Sequence, residues 1–261
     1  MKKRTHDINL LFSSRSRRRG FTLVELLVVL AIVLVLAALL FPSLSSAHKS
    51  AQSAKCKAHL HQMGIAIHTY GAGWGVFPYS LDYSRGLIWY NALIPYFDST
   101  QEILDCPAYK GQSGYFWNKS FLAYFGGSYG YNGFGSASAG YAYVSRRILG
   151  LGGDPSFGTP IRPQSIPIER VVAPSEMFAV GDSMVSITGT TGYLLTVVDA
   201  EREIPNRHPK GFNMLLVDGH TEATEHQKLA LPKTDVRRRW NNDDLPHFTN
   251  KELEAMAEEE E

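Results

Sequence analysis

The pattern of apolar positions divides the chain sharply. From Leu26 to Phe41 there are 16 apolar residues without interruption, and the 21 residues from Phe21 to Phe41 contain only Thr22 and Glu25 as polar members. As a helix that stretch covers roughly 30 Å, the thickness of bilayer hydrocarbon. A helix apolar all round lies in a membrane or in the centre of a large core, and the rest of this chain is too small to surround it. Pro42 follows, which kinks or loosens a helix rather than necessarily ending it. Beyond it the pattern becomes amphipathic: Cys56, Leu60, Met63, Ile67 and Tyr70 recur at spacings of four and three, and Gly71, Gly73 and Gly75 mark a stop. These signals predict one helix of about 50 residues, apolar in its first half and one-sided in its second.

Strand signals come late. Met177–Val180, Tyr193–Val198 and Phe212–Val217 are short apolar runs, and Asp218-Gly219 followed by His220-Thr-Glu-Ala predicts a hairpin. Residues 76–175 are rich in Gly, Tyr, Ser and Pro, which favours turns and irregular loops. Aromatic residues scattered there, such as Trp89, Tyr90, Tyr96, Trp117 and Tyr131, are read as packing, with a glycan-binding platform as the functional alternative. The predicted fold class is α+β, with the long N-terminal helix packed on a small antiparallel sheet head. The boundaries are a cleaved basic leader at 1–20, a membrane-spanning part at 21–41, an amphipathic continuation at 42–70, a head at 71–235 and a charged, disordered and solvated tail at 236–261.

Charge changes the picture by its placement. The net charge of the 261 residues is +1, yet residues 1–20 hold seven Lys/Arg and a single acid, Asp7. Without them the chain has 19 basic and 24 acidic residues, a net charge of −5. A mildly acidic body argues against nucleic acid as a partner. The basic cluster before the span predicts a cytoplasmic N-terminus and an extracytoplasmic head, where a disulfide is permitted.

The junction Arg17-Arg-Arg-Gly20-Phe21-Thr-Leu-Val-Glu25 admits three readings. An ordinary secretory signal cut after Ala47 has a shorter apolar region. A twin-arginine signal fits Arg18-Arg19-Gly20-Phe21 loosely. Neither accounts for an acid five residues into the apolar segment. The stretch from Gly20 to Ile32 resembles the prepilin cleavage and methylation motif of type IV pilin-like proteins and type II secretion pseudopilins. That resemblance implies cleavage after Gly20 by a prepilin peptidase, N-methylation of Phe21, and an assembly role for Glu25, the fifth mature residue. Physical chemistry adds a reason: a carboxylate inside lipid costs roughly 2.5–3.5 kcal/mol and needs a partner. In a filament the amine of an incoming subunit supplies one. The plainer alternative is that Glu25 reaches back to the cytoplasmic interface.

Two further stretches resemble one subgroup of prepilin-like proteins. Cys56-Lys-Ala-His-Leu-His-Gln-Met-Gly64-Ile-Ala-Ile-His68-Thr-Tyr70 with Phe77-Pro78 is similar to the start of its head, although His61 stands where Lys is usual. His208-Pro-Lys-Gly-Phe-Asn-Met-Leu-Leu-Val-Asp218-Gly219 resembles its C-terminal H-x9-DG signature, and Pro174–Ser183 its usual upstream segment. The resemblance favours a disulfide between Cys56 and Cys106, because the subgroup often has Cys-Pro at the second position. Two buried thiols are the alternative.

Asp182, His208 and Asp218 form a candidate cluster with three readings. In the structural one, His208 hydrogen-bonds a carboxylate and pins the hairpin. In the second the trio binds a divalent cation, although calcium prefers oxygen ligands. In the third it imitates a hydrolytic triad with Ser183, but no nucleophile-elbow motif surrounds that serine. No cofactor is assigned. His48, His59, His61 and His68 on the predicted helix are read as solvated. The leading function is a non-enzymatic filament subunit of a type II secretion or type IV pilus-like assembly in the cytoplasmic membrane. Its expected partners are other pilin-like subunits, the prepilin peptidase and the assembly machinery. The alternative is a tethered extracytoplasmic binding module that uses the helix only as an anchor.

Overall fold

A computed structural model describes residues 20–82, 87–97, 101–110, 128–133, 135–136, 149–153, 165–183, 206–225, 228–229 and 234–247. The leader at 1–19, the run Tyr193–Val198 and residues 248–261 lie outside the described residues. The chain divides into two compact units at Ser46/Ala47.

Helix α1 runs from Leu23 to Trp74, with Pro42 inside it. The predicted 50-residue helix is thus present and passes through the proline. In the first unit its large apolar side chains, from Leu23 to Leu44, are 48–78 % exposed, and none of the described residues covers them. It is long and apolar enough to cross a membrane. Its N-terminus is closed by a reciprocal cap. The Glu25 carboxylate accepts from the Thr22 backbone N–H (2.8 Å) and hydroxyl (2.9 Å), while Thr22 Oγ1 accepts from the Glu25 N–H (3.2 Å).

The second unit contains the rest of α1, which buries Cys56, Leu60, Met63 and Ile67 of the expected stripe together with Ala66, while Tyr70 packs half-buried against the same core. The helix stops where Gly75 takes a φ of +71° and donates to the Gly71 carbonyl at 2.7 Å, a left-handed terminus that glycine adopts without a Cβ clash. Strands β1 (Leu81–Asp82) and β2 (Leu87–Ile88) form a small ribbon leading into α2 (Trp89–Leu93).

The main sheet has four antiparallel strands in the order β3 (Tyr129–Tyr131), β4 (Phe178–Asp182), β5 (Phe212–Leu216) and β6 (Thr221–Thr224). The hairpin predicted around Asp218-Gly219 joins β5 to β6, with Gly219 at φ +97°. Alternation along β5 sends Leu215 toward α1 and Phe212, Met214 and Leu216 to the opposite side. A register shift between Phe178 and Val180 keeps Ala179 and Val180 both in the helix-facing core, as a β-bulge does. The α+β class is therefore correct.

Two expectations need correction. Residues 236–247 of the expected tail are folded against the head. Helix α3 (Thr234–Arg238) leads to Trp240, only 2 % exposed, which covers the second face of the sheet with Phe178, Phe212, Met214, Leu216 and Leu229. The arginines there do not simply face water: the Arg239 guanidinium stacks 4.2 Å over the Phe178 ring, and its carbonyl accepts from the Phe178 N–H at 2.8 Å. The other correction is His59, which is buried rather than solvated. The Asp105 carbonyl, following the 3-10 turn Gln101–Leu104, lies 3.1 Å from its Nδ1.

Candidate functional site

Several buried polar residues of the head converge on one cluster. Cys56 comes from the inner face of α1, and Cys106 follows the turn Gln101–Leu104. Asp182 ends β4, and His208 precedes β5. All four are buried, and their ligand-type atoms lie within 4.8 Å of one another. His208 Nε2 stands 3.2 Å from Asp182 Oδ2 and 3.5 Å from Cys106 Sγ. The Cys56 thiol donates to Asp182 Oδ1 at 3.3 Å, and the Tyr129 hydroxyl donates to Cys56 Sγ at 3.3 Å.

Asp182 is the centre of the arrangement. It has no exposed surface, and a buried carboxylate without partners would be prohibitive. Oδ1 accepts from Arg207 Nη1 at 2.9 Å, and Oδ2 accepts from the Asn213 backbone N–H at 2.7 Å. Arg207 also donates to the carbonyls of Ser128 and Ser183, and its guanidinium lies 4.8 Å above the Tyr109 ring. Burial works to raise the Asp182 pKa, but the hydrogen bond from His208 and the charge of Arg207 outweigh it and leave the carboxyl below its ordinary value. For His208 burial works downward, but the bonds to Asp182 and Cys106 raise it to about 9. Burial first, then the bond to Cys106, pushes the Cys56 thiol up; that same bond lowers Cys106.

Of the trio singled out in the sequence, Asp182 and His208 therefore meet and Asp218 does not join them. Asp218 sits in the β5–β6 turn, the length of β5 away. There its Oδ1 accepts from the His220 N–H at 3.0 Å and lies 2.6 Å from His220 Nδ1. Its work is local, holding the turn. Cys56 and Cys106 do come together, as two buried free thiols. Ser183 is fully buried.

Sequence reasoning missed Arg207, Tyr129 and Asn213 as members of this cluster. The signal for Arg207 was present: a basic residue immediately before His208, in a chain whose candidate site already held an aspartate. Asn213 enters through its backbone, which no side-chain motif reports.

The remaining predicted residues belong to the first unit. Gly20 and Phe21 are exposed and precede α1, and Glu25 occupies its first turn. Residues 15–41 match the family model described as the prokaryotic N-terminal methylation motif. No curated protein and no solved structure matches the chain. The motif covers the last part of the basic stretch before Gly20, the Gly20–Phe21 junction and the apolar part of α1. With the uncovered apolar surface of that helix, it supports a prepilin-processed, pilin-like protein anchored in a membrane.

Proposed function

We propose that this chain is a pseudopilin or pilin-like subunit of a type II secretion or type IV pilus-like assembly. A prepilin peptidase cuts after Gly20, and the new terminal amine of Phe21 is methylated. The basic leader stays in the cytoplasm, residues 21–41 span the membrane, and the head from residue 71 onward stands outside. Its partners are other pilin-like subunits and the assembly machinery. The single observation that carries this reading is the methylation motif at 15–41, most of it on a helix whose apolar side chains have no cover among the described residues.

The cap geometry supports the role assigned to Glu25. Its carboxylate already takes the Thr22 N–H and hydroxyl, so it is aimed at the end of the helix where cleavage exposes an amine one residue earlier. In a growing filament that carboxylate meets the charged amine of a neighbouring copy, which removes the cost of leaving it alone in lipid. Cys56, Cys106, Asp182 and His208 tie the head to α1, while Asp218 sets the β5–β6 turn.

Mass analysis of the N-terminus of the protein isolated from membranes tests the reading. A chain that begins with methylated Phe21 is expected. A chain that begins at His48 indicates ordinary secretion and removes the filament argument. Glu25→Ala separates the filament subunit from a tethered binding module. The variant stays in the membrane under both, but a loss of filament entry relative to wild type is expected only under the first, since under the second wild type does not enter filaments and the head's ligand binding is unchanged.

A further inference from the structure

We propose that Cys56, Cys106, Asp182 and His208 form a tetrahedral zinc(II) site that clamps α1 to the sheet of the head.

The geometry approaches that of a zinc shell. Zinc bonds of about 2.3 Å to sulfur and about 2.0–2.2 Å to nitrogen and oxygen give a tetrahedron with edges of about 3.3–3.8 Å. Cys56 Sγ lies 3.3 Å from Asp182 Oδ1 and Cys106 Sγ 3.5 Å from His208 Nε2, both edge lengths of such a shell, while His208 Nε2 stands 3.2 Å from the other carboxylate oxygen, Oδ2. All four ligand atoms fall within one 4.8 Å set, and all four residues are buried. A closed, fully protein-ligated shell of this kind is structural rather than catalytic.

The ligand chemistry selects the metal. Two thiolates exclude calcium and magnesium, which take oxygen ligands. A carboxylate beside an imidazole is poorly matched to copper(I), which prefers an all-sulfur environment. The mixed set of two sulfurs, one nitrogen and one oxygen fits zinc.

The surroundings are those of anionic ligands. Two thiolates, one carboxylate and Zn(II) carry a net charge of −1, and the Arg207 guanidinium 2.9 Å from Asp182 neutralises it. The Tyr129 hydroxyl donates to Cys56 Sγ, and the Asn213 N–H donates to Asp182. Donors held outside the shell in this way orient the ligands and strengthen them. Binding displaces two protons, the one on Cys56 and the one shared by Cys106 and His208. The four ligands come from four separate segments, so the ion would close three long loops at once. The inference stands on the head alone and does not depend on the filament reading.

The test uses the full chain purified in detergent, with zinc content and intact mass measured on the same preparation. The expected result is one zinc per chain with both thiols reduced. Cobalt(II) added to reduced, chelator-treated protein should then give a thiolate charge-transfer band. Cys106→Ser and His208→Gln should each weaken cobalt binding by at least about 100-fold, above the loss typical of an outer partner. Tryptophan fluorescence of each variant shows whether the head is still folded. If a variant unfolds, the metal content and cobalt spectrum of the wild-type chain decide alone. An intact mass two hydrogens lower with no zinc, which is a Cys56–Cys106 disulfide, overturns the proposal. So does cobalt binding without a thiolate band, or binding unchanged in both folded variants.

Discussion

Removing the Asp182 carboxylate should cost the head a large part of its stability, and the size follows from its partners. In Asp182→Ala the Arg207 guanidinium, with its side chain 6 % exposed, keeps its charge and loses its only ion-pair partner among the described residues. Breaking a buried pair from one side costs about 3–5 kcal/mol. The Asn213 N–H, now without the acceptor at 2.7 Å, adds about 1–3 kcal/mol. The two losses share one site and do not add fully, so about 4 kcal/mol is expected. For a head of this size each kcal/mol moves the melting temperature by about 2–4 °C, so the shift should be about 8–16 °C. Asp182→Asn keeps one acceptor oxygen and should fall between wild type and alanine. Thermal unfolding of reduced, chelator-treated protein, followed by the fluorescence of buried Trp89 and Trp240, measures both. Replacing the pair together, as Asp182→Leu with Arg207→Met, should recover part of the loss, because no charge is then stranded. A shift for Asp182→Ala below about 1 kcal/mol, or a double variant worse than the sum of its singles, would refute the assignment of Asp182 as the keystone.

Acid should act on the same group. Because the folded carboxyl lies below its unfolded value, its stabilisation is complete above about pH 4 and is lost as pH falls through the lower folded value. Wild type should therefore lose melting temperature more steeply than Asp182→Asn below about pH 4 in a thermal scan series. Gly211→Ala should destabilise by more than about 1 kcal/mol, since Gly211 has a φ of +104° and a Cβ there would overlap the Thr224 carbonyl; urea titration checks this. Trp240→Ala should cost about 3–5 kcal/mol, because the ring is 2 % exposed and its Nε1 donates to the Leu229 carbonyl at 3.1 Å. A tail that was merely solvated would show no change in the same titration.

The helix and the hairpin were legible because each repeats a period. Leu60, Met63 and Ile67 recur as helix neighbours must, and Asp218-Gly219 sits between two strand-like runs. Strand β3 was not legible. Its residues, Tyr129-Gly130-Tyr131, lie in a glycine- and tyrosine-rich stretch that reads as loop, and only pairing with β4, Gly130 opposite Gly181, makes a strand of it. The cluster was half legible. His208 and Asp182 were singled out, but the signature that marked His208 also drew in Asp218, which serves a turn at the other end of the same strand. Cys56 is 126 positions from Asp182, and Cys106 is 102 from His208. No local pattern joins residues so far apart, and only the packing of α1 on β4 brings them together.

The C-terminal segment shows a different kind of failure, in which the sign was present elsewhere in the chain. Antiparallel strands with one wet face alternate apolar and polar residues. Phe212-Asn213-Met-Leu-Leu216 does not: Asn213 is its only polar residue, and that side chain meets Ser53 on α1. With Leu215 also on the helix side, Phe212, Met214 and Leu216 are left as an apolar face that must be covered by something else. The charge of Arg237, Arg238 and Arg239 suggested solvent, yet long guanidinium side chains carry apolar stems that can lie on a ring while their heads find carboxylates. Arg239 does this, stacked on Phe178 with its Nη2 2.9 Å from Glu222. The missing alternation in β5 was therefore a stronger statement about the segment around Trp240 than that segment's own charge.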